Sequence, residues 1–198
     1  MHKNVIRDEG GWETVSTQVI YPGPHLSLQI ERVRSPSRNE PFPWTVVRRK
    51  CGSMVAPLTP DGKFILIRQE RVPIRMSLWE FPAGQVDQSD SPSETDIRDA
   101  ALRELREEAG YEPGPGGELI PLGYYFSLQG FTDEHCYMFM ARGVVPSVAG
   151  SSHDAGEAIM DTRAFTPEEL RATIAGNEIR DANTLSVYAR MCARGLLP

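Results

Sequence analysis

Arg103-Glu104-Leu105-Arg106-Glu107-Glu108-Ala109-Gly110-Tyr111 reads as the closing turns of an amphipathic helix that stops at a glycine. At about 100° per residue, Glu107, Glu104 and Glu108 fall within an arc of roughly 100°, and Leu105, Ala109 and Leu102 fall roughly opposite. One face is expected to pack while the other gathers negative charge. Three carboxylates on adjacent turns repel one another unless a cation sits among them, and oxygen-only donors favour hard ions such as Mg²⁺ or Mn²⁺ over zinc. A bare Glu/Arg helix is ordinarily a solvated face, so the reading depends on what surrounds it.

The surroundings favour a site. Arg103 to Tyr111 resembles the second half of the Nudix hydrolase signature, Arg-Glu-apolar-x-Glu-Glu-x-Gly-apolar, with every fixed position filled. Upstream, Leu78-Trp79-Glu80-Phe81-Pro82-Ala83-Gly84-Gln85-Val86-Asp87 is similar to the Glu-Phe-Pro-Ala-Gly stretch of the family's ADP-ribose pyrophosphatase branch. One departure stands out. Family members place a glutamate shortly after the glycine; Asp90 holds that spacing here, but twelve residues then separate it from Arg103, five more than in the family. Counted backwards from Arg103, the glutamate falls at Thr95, beside Glu94. Asp90 or Glu94 is therefore expected to substitute, with altered loop geometry.

Bulk properties bound the alternatives. A chain of 198 residues, 40% hydrophobic and 24% charged, has the composition of one full globular core or of a compact domain with a small extension. A net charge of −6 argues against a general nucleic-acid surface, so an anionic substrate needs local arginines and metal ions. Cys51, Cys136 and Cys192 are odd in number and widely spaced, which fits reduced thiols. The start lacks the apolar stretch of a secretion signal and no run is long enough to span a membrane, so a cytoplasmic protein is expected.

Along the chain, Thr14 to Tyr21 and Leu26 to Val33 read as strands broken by Pro22-Gly23-Pro24, a β-hairpin extension. Ser35 to Pro43 reads as a proline-rich turn or linker and Trp44 to Arg49 as a strand. Ser53 to Leu58 and Phe64 to Gln69 flank Pro60-Asp61-Gly62, a turn signal. Asp96 is the expected N-cap of the acidic helix. Glu118 to Leu128, His135 to Ala141 and Ala158 to Phe165 read as strands, and Val145 to Gly156 as a loop. Thr166-Pro167-Glu168-Glu169 reads as a capping box, and a last helix starts at Asp181. Hairpins without regular βαβ alternation favour an α/β sandwich with a mixed sheet. The resemblance implies the same: a Nudix-type α/β/α sandwich over residues 44–198, plus an N-terminal antiparallel β extension over 1–43 that dimerises the chain.

The resemblance also implies roles. Glu104 and Glu108 become metal ligands, Glu107 a further ligand or support, Arg103 part of the catalytic box, and the Ala83 carbonyl completes the coordination of Mg²⁺, with Mn²⁺ as an alternative. Ser152-His153-Asp154-Ala155-Gly156-Glu157 is similar to the acidic loop that supplies the general base, which points to Glu157; Ala155 stands where several members carry a second acid, which leaves Glu134 as the alternative base. Gln69-Glu70-Arg71 resembles a Gln-x-Arg at the end of a central strand, making Arg71 a phosphate or ribose contact, with Glu80 beside the box as a further substrate residue. Arg49 matches a similar role, and Trp44 an aromatic that stacks on the base across a homodimer. The implied reaction is Mg²⁺-dependent hydrolysis of ADP-ribose to AMP and ribose 5-phosphate. The alternatives are GDP-mannose or another nucleoside diphosphate sugar, or a non-catalytic protein that binds nucleotide sugars; no nucleic-acid or membrane partner is expected.

Overall fold

The computed structural model describes residues 10–86, 92–153, 156 and 158–197. β1 (Glu13–Pro22), β2 (Leu26–Ser35) and β3 (Arg38–Arg49) form a three-stranded antiparallel sheet. The expected hairpin is present as β1 and β2, whereas the expected linker over 35–43 is corrected, since the segment from Arg38 onwards is strand and runs without a break through residue 43. The prolines are tolerated because β3 is an edge strand. The N–H groups of Val47 and Arg49 point away from β2, to Phe131 O at 2.8 Å and Asp133 Oδ1 at 3.0 Å. Pro43 has the same parity, so its missing N–H removes no ladder bond.

The second sheet is mixed, in the order β10 (Ile159–Phe165), β5 (Phe64–Arg71), β4 (Gly52–Leu58), β9 (His135–Pro146) and β8 (Tyr111–Phe126). β4 and β9 run parallel and the other pairs are antiparallel. Two short strands pair alongside, β6 (Met76–Glu80) with β5 and β7 (Ala83–Gln85) with β4. The turn at 59–62 closes as expected, with Gly62 at φ 83°. β8 begins earlier than Glu118 because Gly114-Pro115-Gly116-Gly117 is taken up as a bulge between Pro113 and Glu118 rather than as a loop. β9 likewise continues past Ala141 to Pro146.

Alternation along the strands divides the core in two. Val55, Ile65, Ile67 and Phe139 face α1 (Glu94–Ala109) through Ile97, Ala101 and Leu105. Met54, Ala56, Leu66, Met138 and Met140 face α2 (Pro167–Ala175) and α3 (Ala182–Ala193) through Leu170, Val187 and Met191. The result is an α/β/α sandwich.

The helix ends follow capping chemistry. α1 starts one turn earlier than the expected N-cap: Ser93 is the cap, its hydroxyl accepting from Asp96 N at 3.2 Å while Asp96 Oδ2 accepts from Ser93 N at 2.8 Å. Asp96 thus serves as the N3 partner of a capping box. Gly110 ends α1 at φ 72°. α2 carries the expected box from Thr166 to Glu169, and α3 is capped by Asp181.

Candidate active site

α1 delivers Glu104 and Glu108 from successive turns onto the backbone of β7 and the turn before it. Both carboxylates are buried, 3% and 1% exposed. The expected division into a packing face and a charged face is therefore too simple, because these two glutamates lie inside. Glu108 Oε2 accepts a hydrogen bond from Ala83 N at 2.8 Å. Glu104 lies against Gly84 so closely that a Cβ there would stand 1.8 Å from its Oε1. Only glycine leaves that space.

Arg103 ties the helix to the same strand. Its Nη2 donates to Gln85 O at 3.1 Å and lies 2.7 Å from Glu104 Oε1, while Nη1 donates to Glu107 Oε2 at 2.9 Å. Beside this group, Arg71 on β5 forks onto Glu80 on β6, Nε to Oε1 at 2.9 Å and Nη2 to Oε2 at 2.5 Å. Burial pushes the Glu80 carboxyl above its ordinary range and Arg71 pulls it back. Glu80 in turn holds the Arg71 guanidinium up, with the fields of Asp181 and Glu108 adding to it. The turn is also gripped from the opposite layer, where Phe81 N donates to Thr184 Oγ1 at 2.9 Å.

A second group lies where the extension meets the loop between β8 and β9. Arg49 Nη1 stands 2.6 Å from Glu134 Oε1, and Ser127 Oγ donates to Glu134 Oε2 at 2.8 Å. Next to it Arg48 forks onto the buried Glu31 at 2.7 to 3.0 Å and reaches Asp133 at 3.1 Å. Burial works against the charge of Arg48, but these carboxylates outweigh it and hold the guanidinium above its ordinary value. Trp44 is 45% exposed on β3 and packs edge-on against Phe42, with ring centroids 5.7 Å apart.

Ala83, Glu104, Glu107, Glu108, Arg103, Glu80 and Arg71 are thus gathered around the turn at 81–85, whereas Arg49 and Glu134 are bonded to each other in a separate cluster. Glu157 and Asp90 lie outside the described residues. The segment leading to Glu157 is anchored on α1: Ser152 N donates to Glu107 O at 3.0 Å, and His153 Nε2 lies 3.3 Å from Glu108 O. Sequence reading missed Thr184, Asp133 and the Glu31–Arg48 pair, whose partners are remote in the chain.

The donor set suits a hard divalent cation, since two buried carboxylates are set on neighbouring residues of one backbone turn, Glu108 on Ala83 and Glu104 on Gly84, with the half-buried Glu107 on the same helix. Among the described residues no three His, Cys, Asp or Glu side chains form a ready-made metal cluster, so a cation here needs backbone oxygen as well. No helix among those residues is long and apolar enough to cross a membrane.

Comparison with known proteins agrees with this geometry. The NUDIX domain matches residues 48–186. The chain is 29% identical to a methanol dehydrogenase activator of Bacillus methanolicus, over 87% of this chain and 88% of that one. It is 27% identical to an ADP-ribose pyrophosphatase of Bacillus subtilis over the same shares. It is 29% identical to an ADP-ribose pyrophosphatase of Mycobacterium tuberculosis, over 91% of this chain and 85% of that one. A crystal structure of an ADP compounds hydrolase superposes with a TM-score of 0.72 at 15% identity, covering 96% of this chain and 100% of the other, which shows the shared fold.

Proposed function

The chain belongs to the Nudix family and is a Nudix hydrolase, and from that premise we propose that it cleaves the diphosphate of ADP-ribose, giving AMP and ribose 5-phosphate. The observation that carries the reading is the pair of buried carboxylates, Glu104 and Glu108, set on the Ala83–Gly84 backbone. The Glu-Phe-Pro-Ala-Gly stretch and two relatives named as ADP-ribose pyrophosphatases support this choice of substrate.

Glu104, Glu108 and the Ala83 carbonyl, with Glu107 in support, would hold Mg²⁺, or Mn²⁺ in its place, which would supply neutralisation of the diphosphate charge and a more acidic water. The chain's own residues do the rest. Arg71 presents a fork of donors to phosphate oxygens, and Glu80 fixes the direction of that fork. Arg103 screens Glu104 from Glu107 and holds α1 to β7. Water oxygen bonds to one phosphorus, the bridging P–O bond breaks, and the released proton passes to a carboxylate.

We assign that carboxylate to Glu157. Glu134 has both oxygens engaged, by Arg49 and Ser127, so its role is to hold Arg49 toward the substrate. Trp44 on the extension stacks on the base within a homodimer, and the protein works in the cytoplasm. The test is release of AMP from ADP-ribose with Mg²⁺ by the full chain and by Glu108→Gln. A panel including GDP-mannose ranks the sugars. Tight binding of ADP-ribose without turnover would replace the enzyme with a nucleotide-sugar-binding protein.

A further inference from the structure

We infer that Thr184, oriented by Asp181, is a positioning residue for the turn that carries Ala83 and Gly84. The inference rests on the proposed hydrolase reading but draws on the opposite layer of the sandwich. Thr184 sits in the first turn of α3 and is fully buried. Its hydroxyl donates to Asp181 Oδ2 at 2.8 Å, which turns an oxygen lone pair toward Phe81 N, 2.9 Å away. Asp181 Oδ2 also accepts from Thr184 N at 2.7 Å as the helix N-cap. One carboxylate oxygen therefore fixes both the helix start and the direction of the hydroxyl.

Phe81 is 1% exposed, so its N–H has no recourse to bulk water if the hydroxyl is lost. Two residues on, Ala83 N is held by Glu108 from the α1 side. The turn takes a bond from each face of the sheet, alongside the bond from Val55 N to Pro82 O at 3.0 Å and the pairing of β7 with β4, and the two face anchors add to that pairing in setting where the Ala83 carbonyl and the Gly84 cradle lie. Releasing the α3 anchor lets the turn shift relative to Glu104 and Glu108 without touching either carboxylate. Asp181 adds its charge beside Glu80 and Arg71, so the same cap also borders the phosphate-contact pair.

The test compares Thr184→Val, which keeps the shape and removes the hydroxyl, with Thr184→Ser, which restores it. Three readouts are taken on the full chain: Mn²⁺ binding by the paramagnetic resonance of free Mn²⁺, kcat and KM for ADP-ribose, and amide hydrogen exchange over residues 81–84. Thr184→Val is expected to weaken Mn²⁺ binding and lower kcat by about tenfold each, as for loss of a group supporting a metal ligand. KM stays within about twofold, exchange at Phe81 accelerates, and Thr184→Ser returns all three toward wild type. Unchanged Mn²⁺ binding and exchange in Thr184→Val overturns the inference, as does equal damage in Thr184→Ser. If Thr184→Val does not fold, Thr184→Ala, which also removes the hydroxyl, set against Thr184→Ser carries the same comparison. A wild type that binds no Mn²⁺ and releases no AMP instead overturns the functional reading, and the exchange data still decide whether Thr184 holds the turn.

Discussion

At Gly84 the absence of a side chain is what the site depends on. A methyl group there must displace the Glu104 carboxylate, whose oxygen occupies its place. Gly84→Ala is therefore expected to fold with a nearly unchanged melting temperature but to lose activity and Mn²⁺ affinity by about 10- to 100-fold; full turnover in that variant would show that Glu104 is not needed where it stands. Glu108→Gln keeps the shape and an acceptor for Ala83 N while removing charge, and about a hundredfold loss of kcat is expected, read from initial rates of AMP release. Arg71→Ala has a pH signature. Burial already holds the Glu80 carboxyl above its ordinary range, and losing Arg71 removes the main opposing pull. A buried acid with a raised pKa binds its proton more tightly folded than unfolded, so stability falls as pH climbs from the unfolded carboxyl range through the raised value. The gap in melting temperature between wild type and Arg71→Ala should widen from pH 5 to pH 8. The corresponding loss of unfolding free energy should reach about 2 kcal/mol, below the usual cost of breaking a buried pair because the Arg71 side chain is 39% exposed. A gap that narrows over that range would contradict the assignment of Glu80 as a buried charge held by Arg71.

For α1 the ends matter as much as the faces. Ser93→Ala removes the acceptor for Asp96 N and should cost about 1 kcal/mol, seen as a fall of roughly 2–4 °C in melting temperature with catalysis per folded molecule retained. The body of this helix and its stop were legible, because the spacing of Leu105 and Ala109 and the glycine at 110 each have a local cause. Its start was misplaced because Asp96 is itself a good cap and only the reciprocal bond to Ser93 distinguishes the two roles. The burial of Glu104 and Glu108 was not legible from periodicity, which sorts charge from apolar character and carries nothing about a glycine cradle across the interface. β3 was shortened for a similar reason: prolines argue against a strand unless it is known to lie at an edge, and edge status is a property of the sheet. Among the residues gathered around the turn at 81–85, those of the box were legible because their spacing is local. Thr184 was not, since its bond to Phe81 spans 103 positions.

Over the whole molecule, charge and apolar surface are unevenly shared. The extension exposes large apolar side chains, among them Trp12, Val15, Val19, Ile20, Tyr21, Phe42 and Trp44. On the proposed reading a second copy covers it, so sedimentation at micromolar concentration should give twice the chain mass and Val19→Asp should shift the chain toward monomer; a monomeric wild type would leave Trp44 without its proposed role. The sandwich itself was foreseeable from hairpins and capping boxes, but the third strand of the extension and its clamp on Asp133 depend on pairings between distant segments. Ser152 and His153 are stapled to the carbonyls of Glu107 and Glu108, so they and the buried carboxylates of Glu104 and Glu108 ride on a single helix, while Trp44 and Arg49 ride on a separate sheet. On the proposed reading, changes of sugar or base preference can accumulate in that sheet during descent while the carboxylates on α1 stay undisturbed.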